Sequence, residues 1–339
     1  MLNQSQIYSV VDENQKDFAM KIGIITLPIT NNYGAILQTY ALQICLKRIG
    51  LQAVLIDYTP RSKSVIKRVL SLIKKKFFPS QLRKKNHFFD ENITTTGIVE
   101  RLSPKVIRQN KIDMVVVGSD QVWRPKYIYR IEDMYLDFLK NFSIKRIAYA
   151  ASFGVDVWEY TPKQTVKCAK LARMFDAISV REESGVNLCQ EHLGVDATWV
   201  LDPTLLLCKD DYCDVCKDIP VSKKKFLAAY ILDKNDAVRT QCESIAAEQG
   251  FSLKFFEAGT SATLSIPEWL AMFRDASYVI TDSFHGTVFS IIFGKKFKCL
   301  YNKSRGSARF DSLLKLYESG KLDEMREFSL KWLRKALKN

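Results

Sequence analysis

No run of roughly 18 or more apolar residues occurs in the 339-residue chain, so no segment is long enough to cross a bilayer as a helix. Met1 to Ala19 is polar and mixed in charge, without the apolar stretch of a secretory signal, and a cytoplasmic protein with an N-terminal extension over residues 1–19 is expected. Histidine is scarce: His87, His192 and His285 are the only three. The eight cysteines lie mostly in apolar surroundings, as buried free thiols do. Cys213-x-x-Cys216 has metal-ligand spacing, but only Cys208 is near it and no histidine is, short of the set a structural zinc needs. No metal is expected. The three-glycine dinucleotide fingerprint and the Gly-Lys-Ser/Thr of a P-loop are both missing, which argues against NAD and ATP and leaves no cofactor expected. Internal repeats and low-complexity segments are absent as well.

Acidic residues are outnumbered. Lys and Arg total 51 against 37 for Asp and Glu, a net charge of +14, which favours a negatively charged partner. From Arg61 to Lys85 there are ten basic residues and no acidic one. Val65, Ile66, Val69, Leu70 and Ile73 fall on one helical face there, so this stretch reads either as a helix lying on an anionic membrane surface or as an ordinary surface helix. Nucleic acid is not expected, because the basic and aromatic residues match no nucleic-acid-binding module.

The length exceeds what one hydrophobic core usually serves, and strand-like runs alternate with helical patterns from Lys21 onward. Strands are predicted at Ile22 to Leu27, Ala53 to Ile56, Met114 to Val117, Arg146 to Ala151 and Ala177 to Val180. A second series follows Asp202-Pro203, at Phe226 to Ile231, Ser252 to Phe256, Tyr278 to Ile280 and Lys296 to Leu300. Two Rossmann-like α/β domains facing a cleft result, over residues 20–204 and 205–320, with an amphipathic helix in 321–339 that packs back across them.

The segment with most chemical content is Thr281-Asp282-Ser283-Phe284-His285-Gly286-Thr287, where a buried strand ends and a helix begins. Backbone N–H groups face an anion at such a place, and His285 sits there beside Asp282 and Ser283. His285 is either a catalytic group or a helix-capping one. The turn Asn32-Tyr33-Gly34-Ala35 joins the first strand to its helix, a second place where ligands bind in such folds.

Taken in order, Asn32-Tyr33-Gly34-Ala35 with Gln38, Gly118-Ser119-Asp120-Gln121-Val122-Trp123, Ser179-Val180-Arg181-Glu182, Leu201-Asp202-Pro203-Thr204 and Thr281-Asp282-Ser283-Phe284-His285-Gly286 resemble the polysaccharide pyruvyl transferase family. The resemblance runs from about Met20 to about Leu316. It implies a GT-B-like glycosyltransferase architecture, phosphoenolpyruvate as donor, and a hydroxyl pair of a sugar on a lipid-linked or polymeric glycan as acceptor. A cyclic pyruvate ketal is the implied product. It also implies Arg181 and His285 as donor-site residues, with Ser283, Phe284 and Gly286 around them.

Some relatives carry Arg two positions before the histidine where this chain has Ser283, so Arg305 or Arg309 is expected to supply the missing cation. His285 suits the proton transfer to the enol methylene. Asp120 is the first candidate for general base, or a turn-forming residue, and Asp282 either acts in catalysis or orients His285. Asn32, Tyr33, Gly34 and Gln38 are placed at the acceptor. A sugar-nucleotide glycosyltransferase and a non-catalytic binding module of the same fold remain open beside this reading.

Overall fold

The computed structural model describes residues 20–29, 32–59, 87–257, 263–301 and 306–338. The expectations placed on Met1 to Ala19, on Arg61 to Lys85 and on Arg305 lie outside the described residues.

Two parallel sheets organise the chain. The first holds β1 (Lys21–Ile25), β2 (Gln52–Tyr58), β3 (Thr95–Val99), β4 (Met114–Val117), β5 (Lys145–Ala151), β6 (Ala177–Val180) and β7 (Thr198–Trp199), in the order β3-β2-β1-β4-β5-β6-β7. The second holds β8 (Phe226–Tyr230), β9 (Ser252–Phe256), β10 (Tyr278–Thr281) and β11 (Lys296–Cys299), in the order β11-β10-β8-β9. The central strands are continuous apolar runs because helices cover both faces of a parallel sheet; all four residues of β4 are buried. The fold is thus α/β with two Rossmann-like halves, the GT-B-like class anticipated above. Among the described residues no helix is long and apolar enough to cross a membrane.

Strand order reverses between β1 and β4 in the first sheet and between β8 and β10 in the second, and ligands bind in the crevice that opens at such a reversal. Ile25 pairs with Val117 and Tyr230 with Thr281, so in each sheet the two strands end level. The loops leaving them carry most of the candidate residues.

Helix α1 (Tyr33–Arg48) joins the halves. It begins at Tyr33, so the expected turn is the first turn of a helix, capped by Asn32, whose Oδ1 accepts from the Gly34 and Ala35 amides at 3.0 and 3.4 Å. Tyr33 is buried, stacks on Trp269 of the second half at 5.2 Å and donates its phenolic O–H to the Leu264 carbonyl at 2.7 Å. Such a ring pair is worth about 0.5–1.5 kcal/mol beyond its buried area. One hydrophobic cluster therefore runs from Ile22 and Leu37 through to Phe226 and Trp269.

The last helices return to the first sheet. After α2 (Pro162–Ala172), α3 (Asp236–Glu248), α4 (Ile266–Asp275), α5 (Phe284–Ile292) and α6 (Ala308–Glu318) comes α7 (Leu322–Lys338). Acidic residues in its first turn and lysines in its last suit the helix dipole. Trp332 lies 6.0 Å from Tyr149 of β5, and the Ser329 hydroxyl accepts from the Leu201 amide at 3.0 Å.

Candidate active site

The end of β10 turns directly into α5. Ser283 caps the helix by accepting from the Gly286 amide at 3.3 Å, and Thr281 accepts from the Ser283 amide at 3.1 Å. A side chain at Gly286 would bring its Cβ within 2.2 Å of the Thr281 hydroxyl, so the residue must be glycine for this turn to close. These contacts commit Ser283 and Gly286 to building the turn, and they carry Phe284 and His285 inward. Asp282 stands just before, its carboxylate accepting from the Leu232 and Asp233 amides at 2.6 and 2.7 Å. It ties the ends of β8 and β10 together, and the carboxylate that faces His285 comes from the other sheet.

That carboxylate is Asp202, a fully buried side chain at the start of the Pro203–Leu205 turn. Its Oδ2 accepts from Arg181 Nη1 at 2.7 Å and from the Ser119 hydroxyl at 2.9 Å. The same oxygen lies 3.8 Å from His285 Nε2, longer than a hydrogen bond. Thr204 donates its amide and hydroxyl to Oδ1. Burial opposes ionisation of Asp202, yet His285, Arg181 and Thr204 together outweigh it and hold the carboxyl well below the usual carboxylate range.

Arg181 follows β6. Burial works against its charge, but Asp202, Asp120 and Glu182 overcome that and raise its pKa. Asp120, at the end of β4, holds a backbone φ of +87°, a strained value outside glycine, and its Oδ1 is 3.8 Å from Arg181 Nη2. It also accepts from the Gln121 amide at 2.8 Å, so the turn-forming role is realised whatever else it does. Glu182 faces away from solvent, accepting from the Phe153 and Gly154 amides at 2.6 and 3.0 Å.

Two guanidinium groups lie over the Phe284 ring. Arg181 is centred 4.6 Å from it and Arg309, from α6, 5.8 Å. Burial, and then the charge of Arg181, push the Arg309 guanidinium down to about 10. Among the described residues, Arg181 Nε, Arg181 Nη2, Arg309 Nε and His285 Nε2 are buried and have no hydrogen-bond partner. Two cations with unmatched donors beside a histidine form a site that an anion would complete.

Gly34 lets this assembly close: a Cβ there would stand 1.9 Å from His285 Nδ1. The other residues assigned to the acceptor have different partners. Tyr33 holds the second half as described, and Gln38 is fully buried, its amide donating to the Ala35 carbonyl and the Thr39 hydroxyl at 3.0 and 2.8 Å. Asn32 caps α1. Asp202 and Ser119 were missed as site residues, although both stand in the motifs quoted above. A charged residue between apolar Leu201 and Pro203 was the available signal.

A buried cluster at the strand ends of two parallel sheets, in an α/β fold of GT-B-like architecture, is the candidate site. The family profile described as polysaccharide pyruvyl transferase matches residues 32–304, and the chain belongs to that family. No curated protein matches it in sequence. Among solved structures it is similar to the UDP-GlcNAc 2-epimerase of Methanocaldococcus jannaschii, solved with UDP-GlcNAc and UDP, at 12% identity and a TM-score of 0.51 over 94% of this chain and 100% of that one. The UDP-GlcNAc 2-epimerase of Neisseria meningitidis bound to UDP-GlcNAc gives 12% identity and 0.50, also over 94% and 100%. At such identity the likeness shows the fold alone.

Proposed function

We propose that this transferase moves the pyruvyl group of phosphoenolpyruvate onto two hydroxyls of one sugar, forming a cyclic ketal. The observation that carries the reading is the pair Arg181 and Arg309 on Phe284, with unmatched N–H donors beside His285. Phosphoenolpyruvate brings a carboxylate and a phosphate, and Arg forks hold either group bidentately. Arg309 stands in for the arginine that some relatives carry where this chain has Ser283.

In the proposed reaction His285 gives a proton to the methylene carbon, and cationic character develops at the adjacent carbon. One sugar hydroxyl attacks that carbon, phosphate leaves, and the second hydroxyl closes the ring. The two hydroxyl protons are accounted for, one replacing the proton given to the methyl group and one leaving with phosphate. Asp120 is the proposed base for the hydroxyls, and Asp202 is the carboxylate that faces His285, 3.8 Å from its Nε2.

Incubation with phosphoenolpyruvate and a candidate glycan tests the reading. Release of inorganic phosphate with pyruvate retained on the sugar supports it, whereas release of nucleoside diphosphate from a sugar nucleotide, without use of phosphoenolpyruvate, overturns it. The site of action proposed is the inner face of the plasma membrane. This part rests on the ten basic residues between Arg61 and Lys85 alone.

A further inference from the structure

With Tyr33 and Gln38 buried, the acceptor needs another surface, and the loop that follows Asp120 offers one. Tyr127 ends the helical turn Pro125–Tyr127 and is 42% exposed. An exposed tyrosine is ordinary by itself. This one rests on Arg124, whose guanidinium is centred 5.4 Å from the ring and which is only 2% exposed. Arg124 is itself fixed: Nε and Nη2 donate to the two Glu159 oxygens at 2.9 and 3.0 Å, and Nη1 donates to Gln121 Oε1 at 3.2 Å. The open ring is therefore held from beneath by a buried arginine in a bidentate pair with the more exposed Glu159.

Its position relates it to the donor site. The loop begins at Asp120, whose Oδ1 is 3.8 Å from Arg181 Nη2, and Arg124 beneath the Tyr127 ring is tied to Gln121, the next residue. Tyr127 is the exposed end of this run of contacts that starts at Asp120.

We propose that Tyr127, propped by Arg124 and Glu159, is the stacking platform for the acceptor pyranose. The apolar C–H face of a sugar ring packs on a flat aromatic face, and the phenol adds a hydrogen-bonding edge. A ring already fixed by its support loses little rotamer freedom when sugar arrives. This proposal rests on the transferase reading above, but not on the identity of the donor.

The test uses methyl pyranosides of glucose, galactose and mannose, titrated by saturation-transfer NMR into the whole chain with and without phosphoenolpyruvate, while calorimetry measures phosphoenolpyruvate affinity. At least one pyranoside binds the wild type; Tyr127→Ala weakens it about tenfold and Tyr127→Trp keeps it, both with phosphoenolpyruvate affinity unchanged. Thermal melts establish that both variants are folded. Absence of pyranoside binding to the wild type, equal binding to Tyr127→Ala, or loss of phosphoenolpyruvate affinity in that variant overturns the platform. Tyr127-dependent pyranoside binding without any phosphoenolpyruvate binding leaves the platform standing and removes the donor reading.

Discussion

Gly34 and His285 share one space: the imidazole of the second half occupies the place where a side chain on Gly34 of the first would be, 1.9 Å from Nδ1. The contact spans the two sheets and sets the position of the group expected to move the proton. Gly34→Ala must displace either the ring or the first turn of α1. Misplacement of a reacting group by about 1 Å costs on the order of 10²-fold in rate. Turnover should fall by about that factor while phosphoenolpyruvate affinity, assigned to the arginines in the proposed function, stays near normal. Steady-state kinetics and calorimetry measure the two separately, and a variant of wild-type turnover would show that the fit is not needed.

The central strands were legible because burial on both faces leaves them as apolar runs, as in Met114 to Val117. The edge strands of the first sheet were not. Thr95–Val99 has Ile98 71% exposed, and Thr198–Trp199 is only two residues long, so neither carries a strand pattern. At the site, the β10 end could be read because its residues are consecutive. Asp202 could not, since its partners Ser119 and Arg181 lie 83 and 21 positions away and only folding brings them together. Tyr33 looked like a turn residue because it sits between Asn32 and Gly34. Its burial follows from a second half whose Trp269 no local pattern connects to it.

Arg181→Lys keeps the charge and can keep the Asp202 pair, but it loses the planar fork whose Nε and Nη2 are unmatched. Arg309→Met removes the second cation. If both groups hold phosphoenolpyruvate, each variant should weaken its binding, the Met variant by about 1.5–3 kcal/mol, the range for hydrogen bonds to charged groups. Calorimetry measures this directly. Unchanged affinity in Arg181→Lys would confine that residue to its ion pair, and unchanged affinity in Arg309→Met would send the missing cation elsewhere.

Asp202 also ties stability to pH. Its folded pKa is depressed, so its contribution is fully present above the unfolded value of about 3.9 and is lost as pH falls below it. Asp202→Asn leaves Arg181 buried without its closest carboxylate, a loss of about 3–5 kcal/mol at neutral pH. The gap in melting temperature between wild type and variant should therefore be wide at pH 7 and narrow as the pH drops from 4 toward 3. A gap of constant width across that range would mean that Asp202 contributes nothing as an anion.

His285 itself provides the strictest test, through its coupling to Gly34. Loss of a general acid costs about 10²–10⁴-fold in turnover, and His285→Ala should show that loss with phosphoenolpyruvate affinity largely kept. In that background the space against Gly34 is empty, so adding Gly34→Ala displaces nothing. The double variant should then turn over no more slowly than His285→Ala alone, although Gly34→Ala by itself is costly. Residues in contact give such non-additive cycles, whereas independent effects multiply. If the two losses multiply, Gly34 acts through some group other than His285. If His285→Ala retains near-normal turnover, the proton reaches the methylene by another route.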